Sequence, residues 1–298
     1  MKNHLNMTWY NANQTYSDGA IEKEIYENLM RGSSESNILQ SDNRWPVLYH
    51  FSPVRQNIVR FIPLPESSDV LEIGSGMGAI TEALCRKAAH VTCVDLSLLR
   101  SQINEKRNED ASNLEIIVAN LNDIPFDRQF DMVTLIGVLE YGGRYTEGVN
   151  PYLDFLLKAY SLVKPGGKLV IAIENRLGLK YFAGASEDHY GVPFQGLNGY
   201  PDDQGIRTFS LPELKKLLEE AGCNSYDLYL PLPDYKFATS IVSADAPEFF
   251  ENALTQEFNF GAYTLHTFDQ QKVFSSMIEQ GTFVEFANSF LIVVNKPE

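Results

Sequence analysis

"VLEIGSGMGAIT", Val70–Thr81, sets an apolar run, one acid and three alternating glycines side by side. Glycine loses more conformational freedom on folding than any other residue, so its use at every second position marks a backbone that side chains would obstruct. The apolar run reads as a buried strand, and "GAITEALCRKAA" after it as a helix. A strand that passes through bare backbone into a helix presents N–H groups at the carboxyl edge of a parallel sheet, where ligands of such sheets bind. The spacing is G-x-G-x-G, whereas dinucleotide loops take G-x-G-x-x-G. It favours a nucleoside cofactor carrying an amino acid over one carrying a pyrophosphate.

Outward from this loop, short apolar runs alternate with amphipathic stretches. "HVTCVDLS", "LEIIVAN", "FDMVTLIGVLEY" and "KPGGKLVIAIEN" read as further strands. "LLRSQINEKRNED" and "PYLDFLLKAYSLV" read as the helices between them. Continuous Val/Ile/Leu strands separated by helices imply a parallel sheet covered on both faces. After Asn175 the rhythm stops, and a Gly- and aromatic-rich segment without period runs to Phe209. Long loops in compact domains are usually functional. "SLPELKKLLEEAG" is a capped helix, with Ser210 at its start and Gly222 at its end. "SYDLYLPLPDY" and "SFLIVVNK" read as closing strands. In the N-terminal segment, "AIEKEIYENLM" and "SPVRQNIVRFI" have helical spacing, and "SSESNILQSDN" reads as a loop. The resulting division is a helical arm or lid over 1–50, a cofactor-binding core over 51–175, and an acceptor-site loop over 176–210. The remainder, 211–298, completes the core and carries a cap insertion at about 236–287.

Composition narrows the function. With 298 residues, 44% of them hydrophobic and 21% charged, the chain has the make-up of an ordinary globular protein. Its net charge of -15 repels phosphate backbones, and no basic patch offsets this, so nucleic acid is not an expected partner. Cys85, Cys93 and Cys223 match no metal-ligand spacing and read as buried reduced thiols. No signal peptide or membrane span is visible, so the expected location is cytoplasmic. No His/Cys/Asp cluster has ligand spacing, and no metal is expected.

Acids and amides stand at successive strand ends. Glu72 lies in the last turn of the first strand, where a buried acid needs a cationic or hydrogen-bonding partner; backbone N–H groups nearby could serve instead of a ligand. Asp95 ends the second strand and can accept both ribose hydroxyls, or cap the helix that follows Ser97. Asn120 at the tip of the third can meet an adenine edge between Leu96 and Leu121, or simply make a turn.

Taken in order, "VLEIGSGMGAIT", "VTCVDLS", "VANLNDIPF", "FDMVTLIGVLEY" and "LVKPGGKLVIAIEN" resemble the class I, Rossmann-like S-adenosylmethionine-dependent methyltransferases. The resemblance covers about Asp69 to Asn175, and more loosely Ser210 to Lys296. It implies a three-layer α/β fold whose seven-stranded, mostly parallel sheet has an antiparallel last strand. It implies that Gly74, Ser75, Gly76, Gly78 and Glu72 hold the methionine part of S-adenosylmethionine, Asp95 the ribose and Asn120 the adenine. Asn120 departs from the Asp common there. Gly137, after the fourth strand, joins the cofactor-binding set, and Tyr16 with Asp18 in "TYSDG" either folds over the cofactor or forms a surface turn. "YHFSPVRQNIVRF", "LIGVLEYGGRY" and "IENRLGLKYFAGASEDHYGVPFQGLNGYP" resemble a subgroup encoded beside, or fused to, bacterial glycosyltransferases of surface-polysaccharide clusters. That likeness implies O-methylation of a sugar or related polar acceptor.

A hydroxyl acceptor must lose its proton, so a base should stand near the strand ends. His189 is the best-placed histidine, with Asp188 beside it to orient the ring, unless it is an exposed loop residue. Glu140 and Tyr141, and Glu174 and Asn175, end the fourth and fifth strands. His50 and His266 are outside candidates, and His90 reads as structural. Three alternatives stand beside O-methylation: methylation of a peptide or secondary metabolite, a non-catalytic S-adenosylmethionine-binding protein, and a nicotinamide oxidoreductase that the missing third glycine disfavours.

Overall fold

The computed structural model describes residues 4–14, 16–17, 19–253 and 267–298. Asp18 and His266 lie outside them. The chain forms two compact units, Met1–Leu135 with Ser161–Lys168, and Ile136–Tyr160 with Leu169–Glu298.

The first unit opens with β1 (Leu5–Asn6), α1 (Ala20–Met30), α2 (Glu35–Ser41), α3 (Trp45–Phe51) and α4 (Asn57–Arg60). The alternating part follows as β2 (Asp69–Ile73), α5 (Thr81–Cys85), β3 (His90–Asp95), α6 (Leu98–Arg107), β4 (Leu114–Val118) and β5 (Phe130–Ile136). Its strands run parallel in the order β1-β4-β3-β2-β5. Val70, Leu71, Val91, Cys93, Ile116 and Val133 are all fully or nearly fully buried, as expected of strands covered on both faces. Ser97 caps α6 by accepting from the Arg100 N–H.

Three expectations change here. "SSESNILQSDN" contains α2 rather than a loop, because Ser34 accepts from the Asn37 N–H and the buried Ile38 anchors the turn. "SPVRQNIVRFI" is a 3₁₀ turn, Pro53–Gln56, running into the short α4. The helix after the glycines is five residues long, since the backbone needs 76–80 to complete its turn.

The second unit contains α7 (Gly142–Tyr145), α8 (Pro151–Ser161) up to Tyr160, β6 (Val163–Glu174) from Leu169, α9 (Leu179–Phe182), α10 (Leu211–Glu220), β7 (Tyr226–Leu232), β8 (Ser240–Ser243) and β9 (Ser289–Asn295). Its strand order is β6-β9-β7-β8, and β7 is antiparallel to both neighbours. Ser210 and Glu213 close a reciprocal capping box on α10. The fold is the expected Rossmann-like α/β arrangement with an antiparallel edge, but the described residues form nine strands where seven were expected. The two additions are β1, from the N-terminal segment, and β8, from the stretch read as a cap. Both are too short to announce themselves by periodicity. Among the described residues no helix is long and apolar enough to cross a membrane.

The N-terminal helices pack on the glycine loop itself. Met77 is fully buried among Ile25, Leu29, Ile38, Val47, Phe51 and Ile103. A buried ion pair adds specificity: Arg100 on α6 meets Glu22 on α1 at 2.7 Å. Removing one partner of such a pair strands the other charge in an apolar setting, whereas removing both does not. Arg100→Met should therefore cost about 3 kcal/mol in chemical denaturation. Adding Glu22→Gln should recover most of that loss.

Candidate functional site

In the first unit the glycine loop is a cradle of bare backbone. Gly74, Gly76 and Gly78 have φ of 69°, 53° and 77°, all in the left-handed region that other residues enter at a cost. At Gly76 a Cβ would meet nothing within 4 Å, so the loop opens to space there; at Gly78 it would strike the Asn104 side chain. Ser75 Oγ is buried without a hydrogen-bond partner among the described residues. Arg107 clamps the loop from behind, donating to Met77 O at 2.5 Å and His50 O at 2.9 Å while paired with Glu35 at 2.7 Å.

Asp95, at the end of β3, ties loop and strand together. Its Oδ2 accepts from the Gly76 N–H and its Oδ1 from the Ser97 N–H, both at 2.8 Å. Each oxygen keeps a lone pair for a further donor. Ser97 is the helix cap, so Asp95 is free of that duty. Burial raises its carboxyl above the ordinary range, against the pull of Arg100 and the two backbone N–H groups. Glu72 accepts from Thr81 Oγ1 at 2.6 Å and from Cys93 Sγ at 3.3 Å, so side chains rather than backbone N–H groups satisfy it. Burial pushes its carboxyl up to about 7.

Asn120 receives the Asn122 N–H at 3.0 Å and caps the 3₁₀ turn Leu121–Asp123. Leu121 is buried and Leu96 partly so. Tyr16 carries the Arg100 guanidinium over its ring at 4.3 Å. His90 pairs with Asp69 at the start of β3, and His50 is buried in α3. All predicted cofactor-binding residues except Gly137 lie in this unit.

The second unit gathers charge in its interior. Gly137 has φ 69°, and a Cβ there would meet Tyr235 Oη at 2.6 Å. Glu140, in the turn Leu139–Tyr141, lies 3.5 Å from His189 Nε2. The other ring nitrogen, Nδ1, is 2.9 Å from Glu187 Oε1. Glu187, not the expected Asp188, orients the imidazole. Its Oε2 also receives the N–H groups of His189 and Tyr190, both at 2.8 Å. Asp188 turns away to Lys236 at 2.7 Å, Lys180 at 2.9 Å and Tyr181 Oη at 2.5 Å. Glu174, at the end of β6, pairs through Oε1 with Lys236. Asn175 is structural, donating to Glu285 O and Ala287 O.

His189 is not an exposed loop residue: its side chain is 7% accessible. Burial disfavours its cation, but hydrogen bonds to Glu140 and Glu187 outweigh this and hold it well above its ordinary value. The protonated form of the ring is thus favoured more than in an ordinary histidine. Burial raises the Glu140 carboxyl despite His189. Glu140 Oε2 and Glu174 Oε2 are buried with no hydrogen-bond partner among the described residues. Glu140, Glu174 and His189 also present donor atoms within 4.8 Å of one another, a group that could hold a metal ion. Sequence reasoning expected no metal because these residues are far apart in the chain. It missed Lys180 and Lys236 for the same reason, and Glu187 because Asp188, adjacent to His189, reads as the partner of the ring.

Residues 71–171 match the family model of a methyltransferase domain. Over this segment, about a third of the chain, the sequence is similar to a methyltransferase domain. The mitochondrial ubiquinone biosynthesis O-methyltransferase of Dictyostelium discoideum is 27% identical over 180 residues, covering 56% of this chain and 53% of that protein. The chain thus spans about half the length of this relative. The demethylmenaquinone methyltransferase of Tropheryma whipplei is 25% identical over 213 residues, covering 71% and 78%. Among solved structures, phosphoethanolamine N-methyltransferase 1 of Haemonchus contortus, in complex with phosphoethanolamine and S-adenosylhomocysteine, superposes with a TM-score of 0.52 at 13% identity. That match covers 93% of this chain and 49% of the other, and establishes likeness of fold. The cradle fits the cofactor of this class: glycine-lined space at Gly76, an orphaned hydroxyl at Ser75 and an acid at the next strand end.

The raised Glu72 carboxyl has a measurable consequence. A carboxyl whose folded pKa exceeds its unfolded one binds its proton more tightly in the native state, so it lowers stability as pH rises. The change should fall between the ordinary value of 4.5 and about 7. Glu72→Gln should remove it, making the variant gain on wild type by about 3 kcal/mol across that window. Paired urea titrations at pH 4.5 and 8 read the difference.

Proposed function

We propose that the chain transfers the methyl group of S-adenosylmethionine to a hydroxyl of a small polar or carbohydrate-like acceptor. The observation that carries the donor half is the Gly74–Gly78 loop anchored to Asp95 by the Gly76 N–H. Gly74, Gly76, Gly78, Ser75 and Glu72 serve the methionine end, Asp95 the ribose hydroxyls, and Asn120 with Leu96 and Leu121 the adenine. Tyr16 completes the set within the first unit. When bound, S-adenosylmethionine supplies an electrophilic sulfonium methyl.

For the acceptor half, the buried Glu140 and Glu174 oxygens that lack a hydrogen-bond partner among the described residues support a polar substrate, since an apolar one would leave them unmatched. Glu140 is the proton acceptor in this reading and His189 the cation that steadies its charge. The Dictyostelium relative is named an O-methyltransferase, which favours oxygen as the methylated atom. The names of both curated relatives also support a second reading, a phenolic quinone precursor. A glycan acceptor would bring the enzyme into the company of glycosyltransferases. The three free thiols suit a cytoplasmic setting.

Calorimetry with S-adenosylhomocysteine tests the donor half. Asp95→Ala should weaken binding at least tenfold while the circular dichroism spectrum stays native. Unchanged affinity removes the ribose assignment. For the acceptor, labelled methyl transfer should appear with sugars or glycolipids rather than with phenols; transfer to phenols alone selects the second reading.

A further inference from the structure

We infer that Glu140, Glu174 and His189 form a binding site for a divalent metal ion. Their donor atoms lie within 4.8 Å of one another, while donors sharing one ion at ~2.1 Å stand up to ~4 Å apart, so small side-chain shifts close the site. Two of the donors are already waiting. Glu140 is 1% and Glu174 0% exposed, and each keeps one carboxylate oxygen without a hydrogen-bond partner among the described residues. A buried carboxylate oxygen with no donor is costly, and a cation is one way to satisfy two at once.

The second observation is the support behind His189. Metal-bound imidazoles usually give their other N–H to a carboxylate, which fixes ring and tautomer. Here Nδ1 faces Glu187 at 2.9 Å, and Glu187 is itself held by two backbone N–H groups and by Tyr200 Oη at 3.3 Å. That leaves Nε2, the nitrogen nearer Glu140, for the ion. Binding exchanges the Nε2 proton for the metal and releases the proton to water.

Charge points the same way. Lys236 is shared between Asp188 and Glu174 and Lys180 between Asp188 and Asp234, so five carboxylates, those of Glu140, Glu174, Glu187, Asp188 and Asp234, face two lysines and one imidazole. A dication offsets this excess. Two carboxylates and one imidazole suit Mn²⁺, Mg²⁺ or Zn²⁺. Three protein ligands leave coordination positions open to water or to an acceptor oxygen, whose hydroxyl the ion would acidify. With the ion present Glu140 serves as a ligand in place of its role as proton acceptor. The inference rests on the geometry of these side chains and stands whether or not the acceptor is an alcohol.

The test uses metal-free full-length protein titrated with Mn²⁺. Loss of the free-ion electron paramagnetic resonance signal should show one tight site per chain, and pulsed spectra should carry nitrogen coupling from one imidazole. His189→Gln should abolish that coupling, and Glu140→Gln should weaken binding by at least about tenfold with native circular dichroism. If Glu140→Gln fails to fold, the wild-type stoichiometry and the effect of His189→Gln still decide. Weak binding at several sites, absence of nitrogen coupling, or coupling that survives His189→Gln would overturn the assignment.

Discussion

At Gly74, Gly76 and Gly78 the chain enters the left-handed region three times within five residues, and the first unit is organised around that path. A side chain at any of the three would raise the conformational cost, and at Gly78 it would also collide with α6. The turn brings the Gly76 N–H to Asp95 at the neighbouring strand end. One hydrogen bond thereby couples the loop after β2 to the tip of β3. Backbone N–H groups and a carboxylate are left at the carboxyl edge of the sheet, where ligands of open parallel sheets bind.

The loop is also held from behind. Met77 points away from the glycine edge into an apolar cluster supplied by α1, α2, α3 and α6. Arg107 Nη1 donates to both the Met77 and the His50 carbonyls, and its other nitrogens reach Glu35. Residues of the N-terminal segment are therefore part of the loop's support. The Glu22–Arg100 pair and the stacking of Arg100 on Tyr16 extend that support to the start of α6. Local strain in a binding loop persists only when the surrounding structure over-determines it, and here packing, a buried ion pair and a bidentate arginine all do so.

The second unit shows the opposite economy. Its polar interior is held by reciprocal charge rather than by close packing of apolar groups. Glu187 gathers four donors, Asp188 three, and His189 lies between two carboxylates. Networks of this kind are valuable when satisfied and costly when not. Two oxygens, on Glu140 and Glu174, are left outside the network's hydrogen bonds among the described residues.

Much of this was legible in the sequence. The strands from Val70 to Glu174 announce themselves as unbroken apolar runs, and the G-x-G-x-G spacing separates this loop from a dinucleotide one. The capping pair Ser210 and Glu213 predicts α10 within a residue or two. These signals are local, since they depend on period, turn chemistry and residues three or four apart. What the sequence hid was either too short to have a period, as with β1, β8 and α2, or made by residues distant in the chain. Asp188 stands next to His189, yet Glu187 holds the ring, because adjacent side chains leave the backbone in different directions. Glu140, Glu174 and His189 meet only because a turn, a strand end and an aperiodic loop fold onto one another. The sequence by itself determined the alternating strands and helices and, through the backbone freedom its glycines encode, the open turn after the first of them. The tertiary structure alone decided which ionisable groups share a low-dielectric interior, and hence which of them can bind a proton, a metal or an acceptor.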